Sequence, residues 1–189
     1  MTSGHTLLPN RFVLTDTARG GDPFEQLKTL SAADALILRH YELPKPDRLS
    51  LALCLREATR ARKVRLLIAG DYGLASCVGA DGLHLPSWMT KRGDVWSHRQ
   101  KAGWIITAAA HDEPELRAAS RAGADAALVS PVFPTGSHPG TQTLGVIRLA
   151  RLTATARIPI YALGGVTALS LKRLRNIPKL SGWASVSAP

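Results

Sequence analysis

Short apolar runs and amphipathic segments alternate along almost the whole chain. Runs at Arg11–Thr15, Ala35–Arg39, Val64–Ala69, Gly82–Leu85, Trp104–Ala108, Ala126–Val129, Ile158–Ala162 and Trp183–Val186 are apolar at successive positions. Such runs predict strands buried on both faces, as in a parallel sheet covered by helices. Between them, spacings of three and four predict helices at Phe24–Leu30, Asp47–Arg62, Tyr72–Val78, Arg92–Lys101, Glu113–Ala122, Val146–Ala156 and Ala168–Arg175.

The punctuation agrees. Gly79-Ala-Asp-Gly82 and Gly123-Ala-Asp-Ala126 each separate a helix end from a strand start, and they lie two strand–helix units apart. Pro46-Asp47 and Asp112-Glu113-Pro114 read as helix starts. Eight strands in regular alternation with helices predict a compact (β/α)8 TIM barrel over residues 1–189, a single domain. The sequence stops soon after the eighth strand, so the last helix is expected to be absent. Either a partner subunit in a homodimer covers that flank, or the barrel is open there.

Composition narrows the setting. The chain has 189 residues, 45% apolar and 20% charged, which suits one packed domain. No run reaches the length of a membrane span, and Met1–Asn10 lacks the layout of a secretory signal, so a cytoplasmic protein is expected. Cys54 and Cys77 show no metal-ligand spacing and are expected to be reduced, packed thiols. The formal charge of +10 comes from 24 basic and 14 acidic residues. Its arginines are scattered through helices without interleaved aromatics, which argues for a solvated basic face and against nucleic acid.

Candidate chemistry gathers at the carboxyl ends of the strands, where such barrels place their sites. The loop Ser130-Pro-Val-Phe-Pro-Thr-Gly-Ser-His-Pro-Gly140 and the turn Ala162-Leu-Gly-Gly165 offer hydroxyls and bare peptide groups. Thr135, Ser137, Gly164, Gly165, Val186 and Ser187 are therefore expected to hold a phosphate. The bland alternative is a tight turn beside a proline-stiffened loop. Asp16, Arg39, Tyr41, Asp71 and His111 also stand at strand ends as candidate pocket residues, and His138, in the polar loop, is the best candidate for a functional histidine. His84 lies within a strand and reads as a packing histidine.

The runs Phe12-Val-Leu-Thr-Asp16, Gly79-Ala-Asp-Gly-Leu-His-Leu85, Ser130-Pro-Val-Phe-Pro-Thr135, Ser137-His-Pro-Gly140, Leu144-Gly145 and Ile158-Pro-Ile-Tyr-Ala-Leu-Gly-Gly165 together resemble the thiamine phosphate synthase family and its thiazole-tautomerase-like relatives. The resemblance implies a barrel enzyme of thiamine biosynthesis that joins hydroxymethylpyrimidine diphosphate to thiazole phosphate and releases diphosphate with Mg²⁺ assistance. It places thiazole phosphate at Thr135, Ser137, Gly164, Gly165 and Ser187, with His138 standing where synthases carry a lysine.

The other half of the family pattern is depleted. Of a Gln-x-Arg-x-Lys pattern only Arg39 remains, within Ile37-Leu-Arg-His-Tyr41. An Asn-Asp pair becomes Ala69-Gly70, with Asp71 one residue on. A second metal carboxylate aligns with Met89, a serine with Ala109, and the tautomerase histidine with Pro131. On this resemblance Arg39 and His138 are the candidates for catalysis and Asp71 is the weak candidate for a metal ligand, so Mg²⁺ binding is expected to be weak. Two readings remain open: a divergent synthase, or a barrel that binds thiazole phosphate or thiamine phosphate in a regulatory, carrier or tautomerase-like role.

Overall fold

Each predicted apolar run becomes a strand of a closed parallel barrel in the computed structural model, which describes residues 7–17, 21–92, 103–135 and 142–186. The order is β1 (Arg11–Leu14), α1 (Pro23–Lys28), β2 (Ala35–Leu38), α2 (Lys45–Arg62), β3 (Arg65–Ala69), α3 (Tyr72–Cys77), β4 (Gly82–Leu85), α4 (Ser87–Lys91), β5 (Ile105–Ala110), α5 (Glu113–Arg121), β6 (Ala126–Val129), α6 (Gly145–Thr155), β7 (Ile160–Leu163), α7 (Ala168–Leu174) and β8 (Leu180–Ser185). Neighbours pair in parallel in chain order, and β8 closes on β1 with Phe12 opposite Ala184.

Although the strands are apolar on both faces, their side chains still alternate. Phe12, Leu14, Ile37, Leu67, Leu128 and Tyr161 fill the barrel interior. Val13, Leu36, Leu66, Leu83 and Ile106 pack outward against the helices. Full burial of a side chain of this size contributes about 1.5–3 kcal/mol, so both layers are needed. At the amino-terminal end Tyr161 closes the interior: its ring meets Phe12 edge-on at 4.8 Å, and its hydroxyl donates to the Pro9 carbonyl at 2.6 Å.

Local signals explain the helix ends. Asp22, Asp71 and Asp112 accept N–H groups from Phe24, Leu74 and Glu115 in the first turns of α1, α3 and α5. Thr167 and Ser170 form a reciprocal capping box at α7. The repeated Gly-Ala-Asp segments have a further use. Asp81 accepts the Leu66 N–H, and Asp125 accepts the Ile106 N–H, both at 2.8 Å. Each carboxylate thus ties its strand to the start of the preceding one, and Asp81 is also forked by Arg56 at 2.6 and 3.0 Å.

Two expectations change, and a third falls outside the described residues. The eighth strand begins at Leu180 rather than Trp183, because Ser181 and Gly182 interrupt its apolar run. Gly182 is required there: a Cβ would lie 2.7 Å from the Tyr161 ring. A helix follows β4 immediately as α4, whereas the expected helix Arg92–Lys101 lies outside the described residues beyond Arg92, the C-cap of α4. Cys54 and Cys77 are exposed, not packed, because both lie on outward helix faces. No described helix is long and apolar enough to cross a membrane.

His84 is a buried polar member of the inner layer, with Nδ1 2.9 Å from the Thr107 hydroxyl. Burial, aided by the field of Arg39, pushes its pKa down from 6.5 to about 3. Burial also lowers the pKa of His40. Below pH 6.5 the unfolded chain binds protons that these folded imidazoles refuse, so their stabilisation is complete above that value and is lost as pH falls toward 3.

Two outcomes follow from these contacts. Between about pH 7 and pH 5, above most carboxylate titrations, unfolding free energy measured by denaturant should fall by about 1–2 kcal/mol, and His84→Gln should flatten that dependence. Asp81→Ala should lower stability by about 2–3 kcal/mol in the same assay, since it strands the Leu66 N–H and the Arg56 guanidinium together.

Candidate functional site

A cavity of about 740 Å³ opens at the carboxyl ends of the strands. Its floor is the top of the inner layer, where Leu14, His84, Ala109, Ser130 and Leu163 arrive from five different strands or strand ends. Its walls have different chemistry.

The wall from β6 to β8 presents Thr135, Gly164, Gly165, Val166, Thr167 and Val186. This wall depends on two backbones meeting closely. The Val132 N–H donates to the Leu163 carbonyl at 2.9 Å, and the Phe133 N–H to the Gly164 carbonyl at 3.0 Å. Leu144 and Gly145 donate to the carbonyls of Pro131 and Val132, so the β6 loop is also stitched to the entry of α6. Gly164 and Gly165 have φ of +90° and +64°. A Cβ on Gly164 would lie 2.9 Å from the Pro131 Cα, and one on Gly165 would lie 2.7 Å from the Phe133 Cβ. Only glycine meets both conditions. The adjoining Ser130–Pro131 peptide bond is cis.

The opposite wall carries Arg39, Tyr41, Pro86, Ser87 and His111. The Arg39 N–H donates to the Thr15 hydroxyl at 3.0 Å, and that oxygen also lies 2.8 Å from His40 Nδ1, so the turn after β2 is pinned to β1. Arg39 reaches Asp16 at 3.6 Å while a third of its side chain stays exposed. Arg39 and Arg48 both lie over the Tyr41 ring, at 6.0 and 5.3 Å from its centroid. His111 Nδ1 sits 2.7 Å from the Ser130 carbonyl oxygen. A carbonyl only accepts, so Nδ1 carries the proton and Nε2 is the acceptor of the neutral ring.

The sequence-predicted residues separate accordingly. Arg39, Tyr41, His111, Thr135, Gly164, Gly165 and Val186 line the same cavity. Asp16 approaches it through its ion pair with Arg39. Ser137, His138 and Ser187 lie outside the described residues. Asp71 caps α3, pairs with Arg48 at 3.7 Å and is not among the residues lining the cavity. Sequence reasoning named Ser130 only as the start of the loop, did not single out Pro86, Ser87 or Thr167 as lining residues, and favoured packing for His84. The inner-layer alternation could have found two of them, since Ser130 is two positions beyond Leu128 and His84 sits level with Thr107.

The residues do not fit the Mg²⁺ that the resemblance implies. This ion wants hard oxygen ligands, and no carboxylate is among the described residues lining the cavity. Asp16 and Asp71 each face an arginine, and Met89 is buried in the core. Gly70 has φ of +69°, and a side chain there would start 3.1 Å from the Tyr41 ring. No group of three His, Cys, Asp or Glu suited to a metal occurs among the described residues.

Known proteins match this architecture and its motifs. Residues 12–188 match the family described as thiamine monophosphate synthase. The chain is 33% identical over 163 residues to a putative thiamine-phosphate synthase 2 of Aquifex aeolicus (strain VF5), covering 85% of this chain and 87% of that protein. It is 32% identical over 168 residues to a thiamine-phosphate synthase of Methanoculleus marisnigri, covering 85% and 78%. The solved thiamine phosphate pyrophosphorylase of Pyrococcus furiosus has the same fold, with a TM-score of 0.73 at 22% identity over 95% of this chain and 85% of that one. With its family model spanning nearly all eight strands, the chain belongs to the thiamine monophosphate synthase family.

Proposed function

We propose that this barrel joins a hydroxymethylpyrimidine diphosphate to a thiazole phosphate and releases diphosphate, a step of thiamine biosynthesis. The observation that carries this reading is the convergence of Thr135, Gly164, Gly165 and Val186 on one wall of a cavity whose opposite wall holds Arg39. The first wall suits the phosphate of the thiazole, because hydroxyl and peptide N–H groups donate to anionic oxygens without adding bulk. Arg39 suits the diphosphate, because a guanidinium offers forked donors to a phosphoryl group.

In this scheme the bond between the pyrimidine methylene carbon and the diphosphate oxygen breaks, and its electron pair leaves with the diphosphate. The thiazole nitrogen lone pair then forms the new carbon–nitrogen bond. The protein's contribution is to hold the two partners in line, to stabilise charge on the departing group and to exclude water from the cation. His111 lines this cavity with Nδ1 held by the Ser130 carbonyl, which leaves Nε2 to accept from an amino group of the pyrimidine in this scheme.

A second reading has its own observation: the carboxylates of Asp16 and Asp71 are occupied by arginines. On that reading the barrel binds thiazole phosphate or thiamine phosphate without turnover, in a carrier or regulatory role. An assay with both precursors and chromatographic detection of thiamine phosphate separates the two. The proposal expects product; its absence at high protein concentration with intact substrates leaves the binding reading.

Both readings expect the glycine wall to hold phosphate. Gly165→Ala should weaken calorimetric binding of thiamine phosphate by about tenfold or more, because its Cβ displaces the Phe133 loop. Removing the phosphate from the ligand should cost a similar factor, and equal affinity for thiamine itself would contradict the assignment.

A further inference from the structure

We propose that the Arg39 wall binds the diphosphate group of the second substrate without a divalent cation, which rests on the reading above and specifies its charge chemistry. A metal-dependent site needs carboxylates that face the ligand, and here the cavity has one guanidinium and no carboxylate among its described lining residues. Gly70 stands where the resemblance places the aspartate that holds the metal. Its left-handed backbone strains any side chain, and a Cβ there would lie 3.1 Å from the Tyr41 ring, so a carboxylate at this position would have to displace that ring. Pro86 and Trp88 approach the same point at 3.5 and 3.8 Å. Tyr41 and Trp88 are 46% and 50% exposed, so they form a surface shelf at that spot rather than a core contact.

The arginines complete the substitution. Arg48 is committed to the shelf and to the structure beneath it, donating to the Ala69 carbonyl at 2.6 Å and lying over Tyr41. Arg39 is held more loosely. Its 3.6 Å separation from Asp16 is longer than a hydrogen bond, and it lines the cavity directly. A diphosphate entering beside the Tyr41 shelf would meet the Arg39 fork and lose little to competition, since the ion pair it displaces is long and its arginine is one-third exposed.

The test is calorimetric titration of the full chain with inorganic diphosphate, in excess EDTA and again in excess Mg²⁺. The proposal expects the two dissociation constants to agree within about threefold, and Arg39→Gln to weaken binding about tenfold or more in EDTA. Arg39→Lys should fall between, because it keeps the charge and loses the fork. Binding seen only with Mg²⁺, no binding in either condition, or full affinity in Arg39→Gln would each overturn it. If Arg39→Gln does not fold, the EDTA comparison on the natural chain decides alone. Metal-independent binding without thiamine phosphate formation would leave this inference standing and overturn the synthase reading; turnover with binding abolished by EDTA would do the reverse.

Discussion

The cavity depends on the close approach of two stretches of backbone, the turn after β7 and the loop after β6. Gly164 and Gly165 lie against Pro131 and Phe133 at distances no side chain would permit, and paired N–H···O=C bonds hold them there. Because the same loop is bonded to the entry of α6, its position is set from both sides. The donor wall is therefore built from backbone on rigid elements, and its geometry does not rely on long side chains finding one rotamer. The assignment of the thiazole phosphate stands on that contact.

The other wall follows a different rule. Its side chains are charged and aromatic, and they are organised by their mutual pairing: Asp16 with Arg39, Asp71 with Arg48, and both arginines around Tyr41. Both of these aspartates are paired with an arginine, and one guanidinium stays at the cavity surface. The two walls together suit a pair of phosphorylated substrates whose anionic ends lie apart and whose reacting atoms meet over the floor of His84, Ala109 and Ser130.

Much of this was legible in the sequence because the barrel writes itself as a repeated pattern. The doubly apolar strands, the Asp and Pro helix starts and the Gly-Ala-Asp breaks are local signals, and local physics decides them. The glycine turn was legible for the same reason. What sequence could not give was side-chain pairing across elements. Asp71 reads as a candidate ligand until Arg48, from the helix before, is seen beside it. His84 reads as core until the inner layer places it beneath the opening. The start of β8 was obscured by Gly182, a residue that weakens a strand signal and is demanded by the packing of Tyr161.

The most direct measurement is a crystal structure of the protein with thiamine phosphate bound. The account predicts the phosphate between Thr135 and the Gly164–Gly165 turn, with the pyrimidine toward Arg39, Tyr41 and His111. A phosphate seated instead at Arg39, or a ligand bound outside this cavity, would contradict it.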